Sequence, residues 1–457
     1  MRNMRTTSMD MTRGPLATRI VAYALPIAAT DILHQLFNAT DIAVVGRYSG
    51  KAAMAAVGAN SSMINLLVCL FDGLSIGVTV VLAQAIGRGD KDGIHKGVHT
   101  AITLGFISGL LLALLGITLS RPLLVLMKAP DDVLDLAAVY LRIYFAGMPV
   151  LMLYNFTAAI LRAAGDTKRP LFCLTAGGVL NVFLNLLFVI AFHLDVVGVA
   201  VATVISNTVS MVMVLHILTH EKGELRFSWK QLCLNPSLFK QMLHIGLPAG
   251  LQSMLFSISN VVIQSSINSF GSACVAGNSI GLTYEGMTNF VNNSFTNASM
   301  TFTGQNYGAR KPDRCRKVYR WSLLIATGSV LVLCLLSSHY AEPMIRLFTS
   351  DETVIPYGIA RIHYAQRFHF LASFYCVASG CLRGIGYSIV PSVMTIFGVC
   401  VFRLIWIATV FRAWPVYPVL AAVYPVTWGL TAIMVTSAYF VLSRKVYRRL
   451  EHEAAQH

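Results

Sequence analysis

The sequence predicts an all-α integral membrane protein of twelve transmembrane helices, arranged as two parallel six-helix lobes related by a pseudo-two-fold axis along the membrane normal. Three observations predict it: apolar runs of spanning length, basic residues that alternate from loop to loop, and an internal repeat with one fixed offset. Of 457 residues, 56% are hydrophobic and 12% charged, with a mean hydropathy of +0.65. That balance belongs in a bilayer rather than in water.

A spanning helix needs about 20 predominantly apolar residues. Such runs fall near residues 18–45, 58–86, 96–120, 135–161, 171–194 and 197–219, then near 241–268, 273–301, 318–338, 355–382, 388–411 and 417–443. The first follows Arg2, Arg5 and Arg13, but it is too long for a signal segment and lacks a small-residue cleavage pattern, so it reads as a retained helix. The polar breaks are short and leave no room for a separate soluble domain.

The net charge is +15 and the chain carries 35 Lys and Arg residues. Arg47, Lys51, Arg121, Lys128, Arg142, Arg346, Arg361 and Arg412 fall on one side of the predicted spans, Arg367 and Arg403 fall within them, and all the others lie on the opposite side. By the positive-inside rule both termini are cytoplasmic. The basic loops then serve topology and contact with anionic lipid headgroups, and no basic domain outside the membrane is left to bind nucleic acid. The nine cysteines have no motif spacing, and Cys69, Cys173, Cys334 and Cys400 sit in apolar spans, which predicts neither a disulfide framework nor a metal cluster.

The repeat sets the architecture. Ala83-Gln84-Ala85-Ile86-Gly87 matches Gly304-Gln305-Asn306-Tyr307-Gly308, and Leu161-Arg162-Ala163-Ala164-Gly165 matches Leu382-Arg383-Gly384-Ile385-Gly386, both at an offset of 221. The same shift pairs Gly50 with Gly271, Pro122 with Pro343, Leu126 with Leu347 and Pro170 with Pro391. Six spans per half is an even number, so both halves start on the same side of the membrane. The expected divisions are an N-lobe at 1–219, a cytoplasmic linker at 220–240, a C-lobe at 241–443 and a basic cytoplasmic tail at 444–457.

Polar residues inside spans must face another helix or water, and ionisable ones cost about 2.5 to 3.5 kcal/mol at mid-depth. Asp31, His34, Gln35, Asn38 and Asp41 form one face of the first span; Ser253, Ser257, Asn260, Gln264 and Asn268 mark the seventh; Glu285, Asn289, Asn293 and Asn297 mark the eighth. These stripes point to a water-filled cavity, with interhelical hydrogen bonding as the alternative. Asp31 either pairs with His34 or serves function, and Asp72 reads as locally paired. In the tenth span, Arg361 reads as snorkelling outward, while Arg367 and His369 either snorkel or present positive charge to the cavity. No Gly-x-x-x-x-Gly-Lys-Ser/Thr loop is present, so energy must come from a gradient rather than from ATP hydrolysed by this chain.

Several blocks resemble the multidrug and toxic compound extrusion (MATE) transporters of the multidrug/oligosaccharidyl-lipid/polysaccharide exporter superfamily. They are Phe37-Asn38-Ala39-Thr40-Asp41 with Val45-Gly46 and Ala55-Ala56-Val57-Gly58, then Gly73-Leu74-Ser75-Ile76-Gly77, Ala83-Gln84 with Gly87, Leu161 through Thr167, Thr303 through Gly308, and Leu382-Arg383-Gly384 with Gly386. The resemblance covers nearly the whole chain. It implies a bacterial inner-membrane antiporter, not an enzyme, with two lobes arranged as a V, alternating access, and export of small amphipathic or cationic compounds in exchange for H⁺ or Na⁺. It also implies a cation-coupling site at Asp41, Asn181, Asn185 and Thr203. Many relatives carry a second carboxylate where this chain has Asn185, which leaves the coupling ion open between H⁺ and Na⁺. Relatives that couple through acidic residues of the seventh and tenth spans find no counterpart here, where the tenth has Ala372 and Ser373.

Stripe geometry and the resemblance together place a substrate cavity at His34, Asn155, Gln252, Tyr284 and Glu285. No organic cofactor is expected, and no metal other than Na⁺ at Asp41; the partners are small-molecule substrates and membrane lipids, with the chain a monomer. The rival reading is a flippase for a lipid-linked precursor, in which the basic tenth span meets a pyrophosphate. A passive channel and an integral membrane enzyme are further alternatives, the latter without a convincing catalytic constellation.

Overall fold

The computed structural model describes residues 9–126 and 131–455, with the side chains of 51–56, 58, 59, 61–63, 65, 66, 126, 131, 132, 454 and 455 outside that description. Arg2, Arg5 and Lys128, and the side chains of Lys51, Ala55 and Ala56, therefore lie outside the described residues. The described residues form helices and short connections, with no strand among them.

The first six expected spans map onto α1 (Leu16–Tyr48), α2 (Lys51–Arg88), α3 (Lys91–Leu126), α4 (Asp131–Ala146) with α5 (Met148–Ala163), α6 (Lys168–Leu186) and α7 (Asp195–Thr219). The second six map onto α8 (Pro236–Asn268), α9 (Ser272–Gly308), α10 (Pro312–His339) with the short α11 (Ala341–Arg346), and α12 (Ile355–Tyr364) with α13 (Phe370–Gly384). They end in α14 (Ile389–Thr395) with α15 (Phe402–Trp406), and α16 (Tyr417–Ala421) with α17 (Val423–Ala455).

By length and composition alone, nine helices among the described residues are long and apolar enough to span, and α4 with α5, bent by 46° at Gly147, makes a tenth. The two other spans are α9 and the α12–α13 pair. The polar stripe lowers the hydropathy of α9, and a 3₁₀ turn at Gln366–Phe368 divides the tenth span into two short helices. The features that hide these spans from a hydropathy window are the ones that bring polar groups inside.

The repeat is written into the backbone. Gly50 and Gly271 both adopt φ of 89° just before α2 and α9, and Gly165 and Gly386 adopt 87° and 98° after α5 and α13. An L side chain is strained at such angles, which is why glycine recurs there at the same offset.

Packing divides the chain inside two helices rather than at the 220–240 linker. Ala29–Gly250 form one compact unit, and Asp10–Ala28 pack with the chain from Leu251 onward as the other. Each division falls two residues after an intrahelical proline, Pro26 in α1 and Pro248 in α8, where the ring removes a helical backbone donor. In the second unit the early segment is pinned by side chains. Tyr23 meets Thr301 at 3.0 Å and stacks edge-on against Phe302, Asn306 Nδ2 donates to Met11 O at 3.1 Å, and Arg314 Nη2 donates to Arg13 O at 2.6 Å.

Within the first unit the linker is docked rather than free. Phe227 is buried against His99, the Ser228 N–H donates to His99 Nε2 at 3.2 Å, and the Asn235 N–H donates to Thr100 Oγ1 at 3.1 Å. Glu224 pairs with Lys91 at 3.2 Å, and its own backbone N–H together with that ammonium holds its carboxyl below the ordinary value.

Candidate functional site

In the first unit α1, α6 and α7 approach closely because α6 carries two glycines on its contact face. A Cβ at Gly178 would enter the Phe37 ring of α1, and one at Gly177 would enter the Ser210 hydroxyl of α7. This seam sets the last turns of α1 against the middle of α6. Asp41, Asn181, Asn185 and Thr203 come together there, as four residues from three helices.

Asn185 Nδ2 donates to Asp41 Oδ1 at 2.5 Å and to Asn181 Oδ1 at 3.0 Å. Thr203 Oγ1 lies 3.4 Å from Asp41 Oδ2, and Asn181 Nδ2 donates to Thr203 Oγ1 at 3.3 Å. Asp41 is 6% exposed and Asn185 fully buried. Tyr140, Val44, Val45 and Val199 pack as an apolar cluster alongside. Among the described residues the partners of Asp41 are an amide and a hydroxyl rather than a cation, and Asn185 Oδ1 has no partner.

A second polar set in this unit contains two of the expected cavity residues. Asn155 Nδ2 donates to Asp72 Oδ1 at 2.8 Å, joining α5 to α2, and the Arg162 charge acts on both Asp72 and the half-buried His34. Asp72 is thus paired locally, across helices rather than along its own.

The other cavity candidates, Gln252, Tyr284 and Glu285, lie in the second unit and do not converge. Gln252 Oε1 accepts from Arg383 Nη2 at 2.8 Å. Tyr284 donates to Met344 O at 2.9 Å and stacks edge-on with Phe348, at the α11 side of α9. Glu285 presents no free carboxylate, because Arg361 Nη2 donates to it at 2.5 Å. Arg361 is fully buried, which corrects the snorkelling expectation. The approach that allows this pair is glycine-dependent, since Gly281 and Gly277 of α9 leave room for the Arg361 side chain and the backbone at Val354 and Gly358.

Around this pair lies a buried network that sequence reading missed. The Arg361 and Arg403 guanidinium carbons sit 3.8 and 4.7 Å from the Tyr424 ring centroid, Arg403 Nη1 donates to Asn260 Oδ1 at 2.9 Å, and His369 stacks on Trp428 at 4.7 Å. Thr288 Oγ1 meets His369 Nδ1 at 2.7 Å, and Ser373 Oγ donates to Asn292 Oδ1 at 2.6 Å. Arg367, by contrast, is exposed. Arg403 was visible as a charge inside a span, but its partners belong to other helices and leave no local pattern.

The α9 stripe also turns differently from expectation. Residues four apart precess by about 40° per step on a helix of 3.6 residues per turn. Glu285 therefore faces inward with Thr288 and Asn292, while Asn289 and Asn293 are exposed. In α8 the stripe is partly self-satisfied, with Ser257 bonding to Ser253 O and Gln264 to Asn268.

The MatE family profile matches residues 26–187 and 248–408, one block in each half. This chain belongs to the MatE family. It is a membrane transporter of the multidrug efflux class that works on ion gradients and binds small-molecule substrates, not an enzyme. Two relatives of this chain are each 26% identical to it. The probable multidrug resistance protein YoeA of Bacillus subtilis aligns over 86% of this chain and 88% of its own length. The FAD transporter of Shewanella oneidensis aligns over 67% and 69%. A MOP superfamily transporter from Pyrococcus furiosus, described as having a binding pocket of reversed polarity, shares the fold of this chain at 23% identity with a TM-score of 0.88, covering 98% of this chain and 99% of that one.

Proposed function

We propose that this transporter exports small amphipathic or cationic compounds in exchange for H⁺ or Na⁺, with Asp41 binding the coupling ion. The observation that carries the reading is a buried carboxylate whose partners are neutral. A carboxylate removed from water without a cation is costly, and a proton or a metal ion relieves that cost. Asn185 supplies the complementary device. Its amide now donates to the carboxyl group and leaves Oδ1 unpartnered. A half-turn of the amide presents Oδ1 instead, to accept a hydrogen bond from protonated Asp41 or to ligate Na⁺ with the carboxylate and the Thr203 hydroxyl, since hard cations take oxygen ligands. Occupied and empty states thus differ in the α1–α6–α7 seam, and differential substrate affinity of the two states provides the exchange.

The test is efflux of a fluorescent organic cation from proteoliposomes under imposed pH or Na⁺ gradients, wild type beside Asp41→Asn. The gradient that drives wild-type efflux names the ion, and the variant is expected to lose it. Undiminished gradient-driven efflux by Asp41→Asn would remove Asp41 from coupling.

A second reading is supported by the interior of the second unit, where Arg361 and Arg403 face a single carboxylate, Glu285. That excess of positive charge suits a substrate bearing an anionic group, such as a lipid-linked pyrophosphate or a dinucleotide of the kind named for the Shewanella relative. Competition of the fluorescent cation by FAD, absent from Arg403→Gln, would favour it. We further place the chain as a monomer in a bacterial cytoplasmic membrane with both termini cytoplasmic, supported by the basic residues at the start of α10 and the end of α17.

A further inference from the structure

The two halves treat one groove in opposite ways. α3 begins at Lys91 and α10 at Pro312, an offset of 221, so His95 and His99 correspond to Arg316 and Arg320. In the first unit the chain leaves α7 at Thr219 and folds back, and Phe227, Ser228 and Asn235 close over His99 and Thr100. The counterpart of Gly223 is Arg444, and there the second unit does not fold back: α17 runs on to Ala455. Alongside it, between α10 and α17, lies a cavity of about 1120 Å³.

The walls of this cavity have two characters. Its cationic end holds Arg316 and Arg320 at i, i+4 on α10, and Arg444 and Arg448 at the same spacing on α17, with Lys445 and Arg449 beside them. Arg316 is engaged by Asp313 and Glu451, each at 2.7 Å, and Arg449 by Glu453 at 2.9 Å. Arg320, Arg444, Lys445 and Arg448 are exposed and have no acidic partner among the described residues. The other end is apolar. Phe440 and Val441 stand 58% and 69% exposed above a floor of Tyr319 stacked on Tyr439 at 4.1 Å.

We propose that the α10–α17 groove is a binding site for an anionic glycerophospholipid, its phosphate held by Arg320, Arg444 and Arg448 and its first acyl carbons lying on Phe440 and Val441. The lipid fills the space that the linker fills in the first unit. Guanidinium groups match phosphate oxygens in pairs, and basic pockets between helices at the membrane surface suit such headgroups. A soluble phosphate would use the cations and leave the apolar wall exposed; a lipid uses both. The site stands independently of the ion coupling and the substrate.

Native mass spectrometry of the detergent-purified full chain, titrated with phosphatidylglycerol or phosphatidylcholine, tests it. Wild type is expected to bind phosphatidylglycerol at least about tenfold more tightly than phosphatidylcholine. The triple variant Arg320→Gln/Arg444→Gln/Arg448→Gln should lose affinity for phosphatidylglycerol on the order of a hundredfold, from about fivefold per cation near a charged surface. A control that removes three exposed cations elsewhere, Lys222→Gln/Lys230→Gln/Lys240→Gln, should leave that affinity unchanged. All three groove positions are exposed, so the triple variant should melt as wild type does without lipid; if it does not, Arg444→Gln alone is scored and should lose about fivefold. Equal binding of the two lipids, retention by the groove variant, equal loss in the control, or displacement by millimolar inorganic phosphate would each overturn the proposal.

Discussion

Asn185 Nδ2 lies 2.5 Å from Asp41 Oδ1, joining residues 144 positions apart in the sequence. The contact exists because Gly178 of α6 lets α1 come close enough for a short amide to reach a short carboxylate. Replacing Asn185 by Leu keeps the volume and removes the donor, leaving a buried carboxylate short of its best partner. We expect gradient-driven efflux to fall at least about tenfold while substrate binding in the absence of a gradient is retained, measured by paired efflux and equilibrium-binding assays.

The seam itself is testable apart from its chemistry. Gly178→Ala places a methyl group in the Phe37 ring and should destabilise the protein by about 1 to 3 kcal/mol. Adding Phe37→Leu, which shortens the opposing side chain, should restore part of that loss in thermal unfolding.

In the second unit, Glu285→Gln or Arg361→Gln alone leaves one buried charge without its partner, for an expected cost of about 3 to 5 kcal/mol. The double variant should be more stable than either single one. A double variant as unstable as the sum of the two would mean that the pair does not act as a unit.

The linker is expected to contribute to stability. Phe227→Ala should cost about 3 kcal/mol in detergent, because the side chain is buried against His99. An unchanged melting temperature would show that the segment lies loosely on α3.

Cys233 is exposed, while the other eight cysteines are buried or half-buried. A membrane-impermeant maleimide should therefore label Cys233 in inverted vesicles and not in intact cells. The opposite pattern would reverse the orientation proposed for the termini.

Much of the fold was legible because bilayer physics acts on runs of residues. Apolar length, loop charge and the 221-residue offset are all one-dimensional signals. The Asp41 cluster was legible only through the family resemblance, which implied a coupling site at Asp41, Asn181, Asn185 and Thr203, and the structure brings those four side chains together. The buried network of the second unit was not. Glu285 and Arg361 are 76 residues apart, and Arg361 read alone looks like any long cation near a span end. Its burial depends on Gly277 and Gly281, whose role appears only once α12 lies against α9. Periodicity also misled within α9, where four-residue spacing over three steps rotates a stripe about 120° around the helix.

The divisions at Pro26 and Pro248 bear on the order of synthesis. Residues 10–28 are synthesised well before their packing partners Thr301, Asn306 and Arg314, which follow nearly 300 residues later. The first unit likewise closes only when the chain has reached Gly250, partway through the first helix of the second half. Neither half of the gene encodes a piece that finishes packing alone. A polypeptide split at the linker and expressed as two fragments would have to exchange segments before either part matured, because residues 10–28 precede the rest of their unit by more than 200 positions.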